Sequence, residues 1–235
     1  MKKIVLIITL FLICILSGIV FAQKADYVNK NYNAHNIKNI LVAVTVPQGA
    51  NVFDDYATIK IEDDIKEAFS NDTNIHITMM DDVISQINRD NNIDIIQLTK
   101  TDPQTANQYF VKYAAPYDTA LEVDVLDYSN GKSYVGANSY NTTEYQNVTA
   151  TDSYGNITNV TVPQTVTHNI PAHYVGNATV GLNFTLRDMS TNQVIFARKE
   201  IRTRDNDAFN TAACESIAKR IVNNYVNNTI DMIKK

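Results

Sequence analysis

Between Ala178 and Arg187 the chain sets Val180, Leu182, Phe184 and Leu186 against Thr179, Gly181, Asn183, Thr185 and Arg187. An extended strand sends successive side chains to opposite sides, so an alternation of this length requires a sheet with one buried face. Asp188-Met-Ser-Thr-Asn192 follows, a run whose short polar side chains bond their own backbone in turns. Val194 to Thr203 is extended again, with Ile195, Ala197 and Ile201 on one face, and an antiparallel hairpin is expected. Asp205 and Asp207 then supply acidic side chains that accept from the free amides opening a helix. From Ala208 to Ile233, Phe209, Ala213, Ile217, Ile221, Tyr225 and Ile230 lie along one side of a closing helix long enough to cross the sheet.

The first half of the chain supplies the rest of that sheet and its helices. Ile37 to Val46 is almost continuously apolar and stops at Pro47 and Gly49, as a central strand covered on both faces does. Ala57, Ile61, Ile65, Ala68 and Phe69 give Tyr56 to Ser70 a helical stripe, and Ile75, Ile77 and Met79 alternate in a short strand. Asp81 is expected to cap a helix with Val83, Ile84 and Ile87 inward. Asn91 to Lys100 fits neither period. Asp102-Pro103 starts a helix whose stripe is Ala106, Tyr109, Phe110, Tyr113 and Ala114. Thr119 to Tyr128 reads as a strand with Leu121, Val123 and Val125 inward, and Asn130-Gly131 as the turn that ends it. Glu122 and Asp124, on its polar face, are expected near Arg198, Arg202 or Arg204. The fold class is α/β (α+β): a mixed sheet with an extended antiparallel hairpin region, packed by helices that include a long C-terminal one.

Lys2 and Lys3 precede an uncharged run from Ile4 to Ala22 that ends Val20-Phe21-Ala22, the pattern of a secretory signal cleaved before Gln23. The same run could span a bilayer as an uncleaved anchor. Either outcome places the protein outside the cytoplasm. Residues 23–36 carry no periodic pattern and are expected to be a flexible leader; residues 37–235 are expected to form one domain. With 20 Lys and Arg against 25 Asp and Glu, the chain offers no broad footprint for phosphate, and nucleic acid is not an expected partner. After cleavage Cys214 is the one cysteine, so the core must hold without an internal disulfide.

Residues 132–175 stand apart in composition. They contain no Leu, Phe or Met and only two Ile, at 157 and 170, so they cannot fill an interior. They are nonetheless patterned, and two long strands folded back at Tyr154 to Asn156 are expected to extend the main sheet. Tyr134, Tyr140, Tyr145 and Tyr154 are spread along the segment, and Val160, Val162 and Val166 share one parity. Tyrosine offers a broad contact and a hydrogen bond at little entropic cost, so these seven residues form the candidate interaction surface. A lipid-facing strand needs an apolar residue at every second position, whereas Tyr134 to Tyr145 mixes polar residues into both parities. No transmembrane pore is expected from it.

Asn39-Ile-Leu-Val-Ala-Val, Ala115-Pro-Tyr-Asp-Thr-Ala-Leu-Glu-Val-Asp-Val and Leu186-Arg-Asp-Met-Ser-Thr-Asn-Gln-Val-Ile-Phe-Ala-Arg, in this order of elements, resemble a group of bacterial envelope domains. The pattern is similar to the anticodon-binding-like α/β domain of the curli-secretion lipoproteins, of the lipoproteins that activate penicillin-binding proteins, and of the N-terminal part of the Tol-system translocation protein. It spans about residues 36–234. The resemblance implies a non-enzymatic envelope module that binds other envelope proteins or assembles with copies of itself. The lipid-attachment cysteine of the two lipoprotein families has no counterpart at the expected cleavage site.

No constellation in the sequence names a reaction. His35, His76, His168 and His173 are too scattered for metal-ligand spacing, and no nucleophile elbow, His-Glu-x-x-His helix or phosphate loop occurs. Asp54-Asp55, Asp63-Asp64 and Asp81-Asp82 sit where helix starts or wet helix faces place acids. Cys214 falls on the inner side of the closing helix, as a small core residue. No catalytic residue, cofactor or metal is expected. The alternative is a small-ligand carrier or hydrolase whose site is built from scattered residues, which a pocket gathering several acids with histidine would favour.

Overall fold

The computed structural model describes residues 24–70, 72, 74–151, 157–205 and 211–235. The expected signal sequence, Tyr154 and Phe209 fall outside these residues. The fold is mixed α/β, in the order β1 Ala25–Val28, a 3-10 turn Ala34–Asn36, β2 Asn39–Thr45, β3 Asn51–Val52, α1 Ala57–Ser70, β4 His76–Met79, α2 Met80–Asn91, α3 Ile95–Thr101, α4 Pro103–Ala114, β5 Thr119–Val135, β6 Asn138–Thr151, β7 Ile157–Ile170, β8 His173–Asp188, β9 Val194–Asp205 and α5 Thr211–Lys234. Contacts divide the chain into two compact units. One takes the chain up to Gly131 and again from Asn177 to Lys235; the other is Lys132–Gly176. The expected single domain with a hairpin at 132–175 is thus parted at nearly the boundaries of that hairpin.

The larger unit is built on a seven-stranded sheet in the order β1-β9-β8-β5-β2-β4, with β3 beside β5. β2 runs parallel to both β4 and β5, and β9 antiparallel to both β8 and β1. The alternation that opens the sequence reading is seen directly: Val180, Leu182, Phe184 and Leu186 are all buried. The long helix α5 packs against α1, with Ile217, Ile221 and Tyr225 buried in the same cluster as Ile61, Ile65 and Phe69. Tyr225 is stacked between Phe184 and Phe196, ring centroids 4.2 and 4.8 Å away. Such aromatic pairs contribute about 0.5 to 1.5 kcal/mol beyond the area they bury. The apolar run of β2 is explained by cover on both faces. Ile40 and Val42 join the main core, while Leu41 between them joins a second cluster with Val83, Ile87, Ile95 and Ala106 of α2, α3 and α4.

Several expectations are corrected. Within the stretch expected as a flexible leader, β1 pairs antiparallel with β9 and Ala34 is buried; a strand of four residues is too short for periodicity to reveal. Asn130-Gly131 is not a turn. β5 runs through it to Val135, and the missing side chain of Gly131 makes room for Asn177, whose Oδ1 lies 2.7 Å from where a Cβ would stand. Asp81 lies in the first turn of α2 rather than at its cap, which is Met79. The ambiguous segment contains α3, opened by Asp94, whose side chain accepts from the Gln97 amide at 3.0 Å. β6 and β7 form a two-stranded sheet of their own instead of extending the main one. Glu122 pairs with Arg187 at 3.4 Å and Asp124 accepts from Thr45 and Asn183, because β8 stands between β5 and β9 and keeps the β9 arginines away.

Candidate functional site: the β6–β7 hairpin

The antiparallel register of β6 and β7 sorts the candidate residues by face. Tyr140 stands opposite His168, Thr142 opposite Val166, Gln146 opposite Val162 and Val148 opposite Val160, all on one parity. Tyr145 stands opposite Pro163 on the other, among Asn141, Thr143, Asn147, Thr161, Thr165 and Thr167. Antiparallel partners present their side chains to the same face, so one face carries Tyr140 with His168, Thr142 with Val166, Glu144 with Gln164 and Gln146 with Val162, apolar and polar side chains interleaved, and the other a ladder of Asn and Thr around Tyr145 and Pro163. The structure brings Tyr140, Val162 and Val166 together on one side, with Val160 at the same parity. Tyr145 is parted from them, and Tyr154 lies in the stretch that is not described. Tyr134 is not in the hairpin strands at all; it is in β5, its ring edge-on to Tyr174 of β8 at 5.4 Å.

Neighbouring side chains fix this surface. Tyr140 is stacked on His168 at 5.0 Å, and His168 Nε2 is 2.8 Å from the Thr142 hydroxyl. On the other face the Thr167 hydroxyl donates to Asn141 Oδ1 at 2.8 Å and the Thr161 hydroxyl to Asn147 Oδ1 at 2.6 Å. These are cross-strand pairs of the kind that stabilise a sheet by about 0.2 to 1 kcal/mol each. Despite them the surface is open to solvent, with Tyr145 72 %, Tyr134 64 %, Tyr140 51 % and Val162 37 % exposed. Glu144 is the one acidic or basic side chain in β6 and β7 apart from His168, and Pro163 is their one proline. Long strands with so few charges leave backbone groups along their edges ready to pair. The chemistry these side chains offer is apolar contact, hydrogen bonding and strand pairing.

In the sequence His168 is one scattered histidine; only the register, which places it opposite Tyr140, shows that it belongs to this surface. Several other titratable groups are tied into structure. His35 Nδ1 lies 3.0 Å from the Ile233 carbonyl oxygen, and His173 Nδ1 2.9 Å from that of Pro171. Asp188 accepts from the Ser190 and Thr191 amides and from the Tyr32 hydroxyl. Burial opposes its ionisation, yet the hydrogen bonds from Ser190, Tyr32 and Thr191 hold its carboxyl below the usual range. Among the described residues no group of three His, Cys, Asp or Glu stands close enough to hold a metal ion. A shallow groove does bring His35 and His76 near Asp72, but its one carboxylate is paired with Lys234 at 2.7 Å. No helix among the described residues is long and apolar enough to cross a membrane.

No family model matches the chain, and no curated protein does. Among solved structures it is similar to a PelC dodecamer from Paraburkholderia phytofirmans, at 10 % identity over 89 % of this chain and 97 % of that one, with a TM-score of 0.42. Protein XCC0632 from Xanthomonas campestris gives 13 % identity over 87 % and 90 % of the two chains, TM-score 0.42. Lipoprotein GNA1162 from Neisseria meningitidis gives 13 % identity over 81 % and 99 %, TM-score 0.39. These names differ from those of the families that the sequence resembles.

Proposed function

We propose that this chain is a non-enzymatic, extracytoplasmic module of the bacterial cell envelope that binds another protein through the β6–β7 hairpin. The observation that carries the reading is that this hairpin is a two-stranded sheet with exposed tyrosine and valine. A two-stranded sheet is at best marginally stable alone in water, so a partner that covers one face or extends one edge gains contact and removes that weakness together. Residues 1–22 act as the export signal, or remain as an anchor, and the unit holding the seven-stranded sheet is the scaffold that presents the hairpin. The partner is an envelope protein, either a different chain or a second copy of this one.

The test is a photo-crosslinking residue placed at Val162 of the full chain in intact cells, with the same residue at the exposed Lys112 of α4 as control. An adduct from position 162 and none from 112 is the expected result, and its mass separates a second copy from a different protein. In parallel, Asn141 to Thr167 is replaced by an Asn-Gly turn. The shortened chain should stay folded and exported while losing the adduct partner; unfolding, or unchanged retention of that partner, overturns the proposal.

A further inference from the structure

The outer edge of the main sheet holds a buried cation where an edge strand ordinarily keeps its charges in water. The Arg198 side chain is 3 % exposed. Its guanidinium lies 5.3 and 6.0 Å from the ring centroids of Phe196 and Tyr225, and Nη1 donates to the Asn224 carbonyl oxygen of α5 at 3.3 Å. β9 and α5 therefore position it without help from β1. Its remaining donors meet a carboxylate that β1 supplies: Nε donates to Asp26 Oδ1 at 2.6 Å and Nη2 to Asp26 Oδ2 at 3.1 Å. Two parallel bonds from a planar fork select a carboxylate, and no other carboxylate among the described residues contacts Arg198.

β1 offers β9 little beyond that carboxylate. Its four residues are all exposed and pair with Phe196 to Lys199, and the Asn29 amide that follows donates to the Ile195 carbonyl oxygen at 2.8 Å. From Glu200 to Arg204, β9 is paired with β8 on one side and with no strand on the other among the described residues. We infer that the outer edge of β9 is a strand-addition site for an extended protein segment carrying an Asp or Glu, with Arg198 as its anchor and β1 as the resident strand that such a segment displaces. Charge sets the selectivity, because a buried guanidinium left without a counter-ion is costly and the site favours whichever strand brings one. Length sets the direction of exchange: a segment pairing from Phe196 to Arg204 makes backbone bonds that four residues cannot. This site lies in the larger unit and does not depend on the hairpin reading.

The test uses the full chain, its Asp26→Asn variant, and a fluorescent peptide of residues 24–29, Lys-Ala-Asp-Tyr-Val-Asn, beside the same peptide with Asn in place of Asp. Asp26→Asn removes the resident counter-ion, so the acidic peptide should bind that variant and be held about tenfold or more tighter than the amide peptide. Adding Arg198→Met should abolish the difference. Equal binding of the two peptides overturns the anchor, and no binding to the folded variant overturns the site. A second measurement needs no variant. An acidic peptide long enough to reach Arg204 should speed deuterium uptake by residues 24–29 of the wild-type chain, and unchanged uptake at saturating peptide also overturns the proposal.

Discussion

Asp64 shows what neighbours do to one side chain. In the sequence it is one of a pair of acids on the wet face of α1, and Asp63 does face water. Asp64 instead turns part-way toward α5, and burial, aided by Glu67, Asp63 and Glu215 and opposed by Lys219, pushes its carboxyl up to about 6 from an ordinary 3.8. A carboxyl raised in the folded state binds its proton more tightly there than in the unfolded chain. Stability from this group is therefore fully present below about pH 4 and is lost as pH rises through about 6. Asp64→Asn should melt higher than wild type at pH 7, with the gap narrowing by pH 5; the effect is small because the group is half in solvent. A constant gap across that range would show that Asp64 ionises normally. Burial of this kind was not legible from helical spacing, which fixes the stripe at Ile61 and Ile65 but leaves the flanking positions open to what α5 brings. Arg198 was hidden for the same reason. Its place beside Phe196 in β9 becomes visible only once the register sets the two opposite Phe184 and Leu186.

At the scale of elements, long periodic segments were readable and short ones were not. β8 declared itself by five alternating pairs and α5 by a stripe along six turns, since many side chains must agree before either pattern forms. β1 and α3 have too few residues to do so, and α3 was settled by one cap at Asp94. The hairpin was legible as two strands with valines on one parity. Its separation from the main sheet was not, because pairing between distant strands is a tertiary choice that neither strand encodes. Its two unlike faces give the proposed function a sharper form. Lysine at Val162 or Val166 puts a charge on the face that carries the valines, while lysine at Thr143 or Thr165 changes only the Asn and Thr ladder. If the face of the valines is the contact, the first pair should lower partner retention by about tenfold or more and the second should leave it nearly unchanged. The reverse pattern, read by retrieval of the partner with the full-length variants, would assign binding to the face of Tyr145.

Across the whole molecule, the two units differ in what holds them. The larger has a core in which Ile40, Ile61, Leu121, Leu182 and Ile221 are wholly buried, each fully buried side chain of this size contributing about 1.5 to 3 kcal/mol. The hairpin has ladder bonds and exposed cross-strand pairs. Local opening is governed by such differences, so amides of β6 and β7 should exchange with deuterium well before those of β2, β5 and β8 in the free protein. Equal protection of the two sets would mean that the hairpin is already covered.

The Asp26–Arg198 pair joins residues 172 positions apart, which makes β1 the first strand synthesised and one of the last to find its place. At ordinary rates of synthesis the interval between them is about 10 to 35 s. During it β2 can pair with β4 and then with β5, whereas the sheet margin stays unfinished until β9 arrives. A nascent strand left waiting is a hazard when it is long and uncharged; four residues with a carboxylate among them make a poor template for the wrong neighbour.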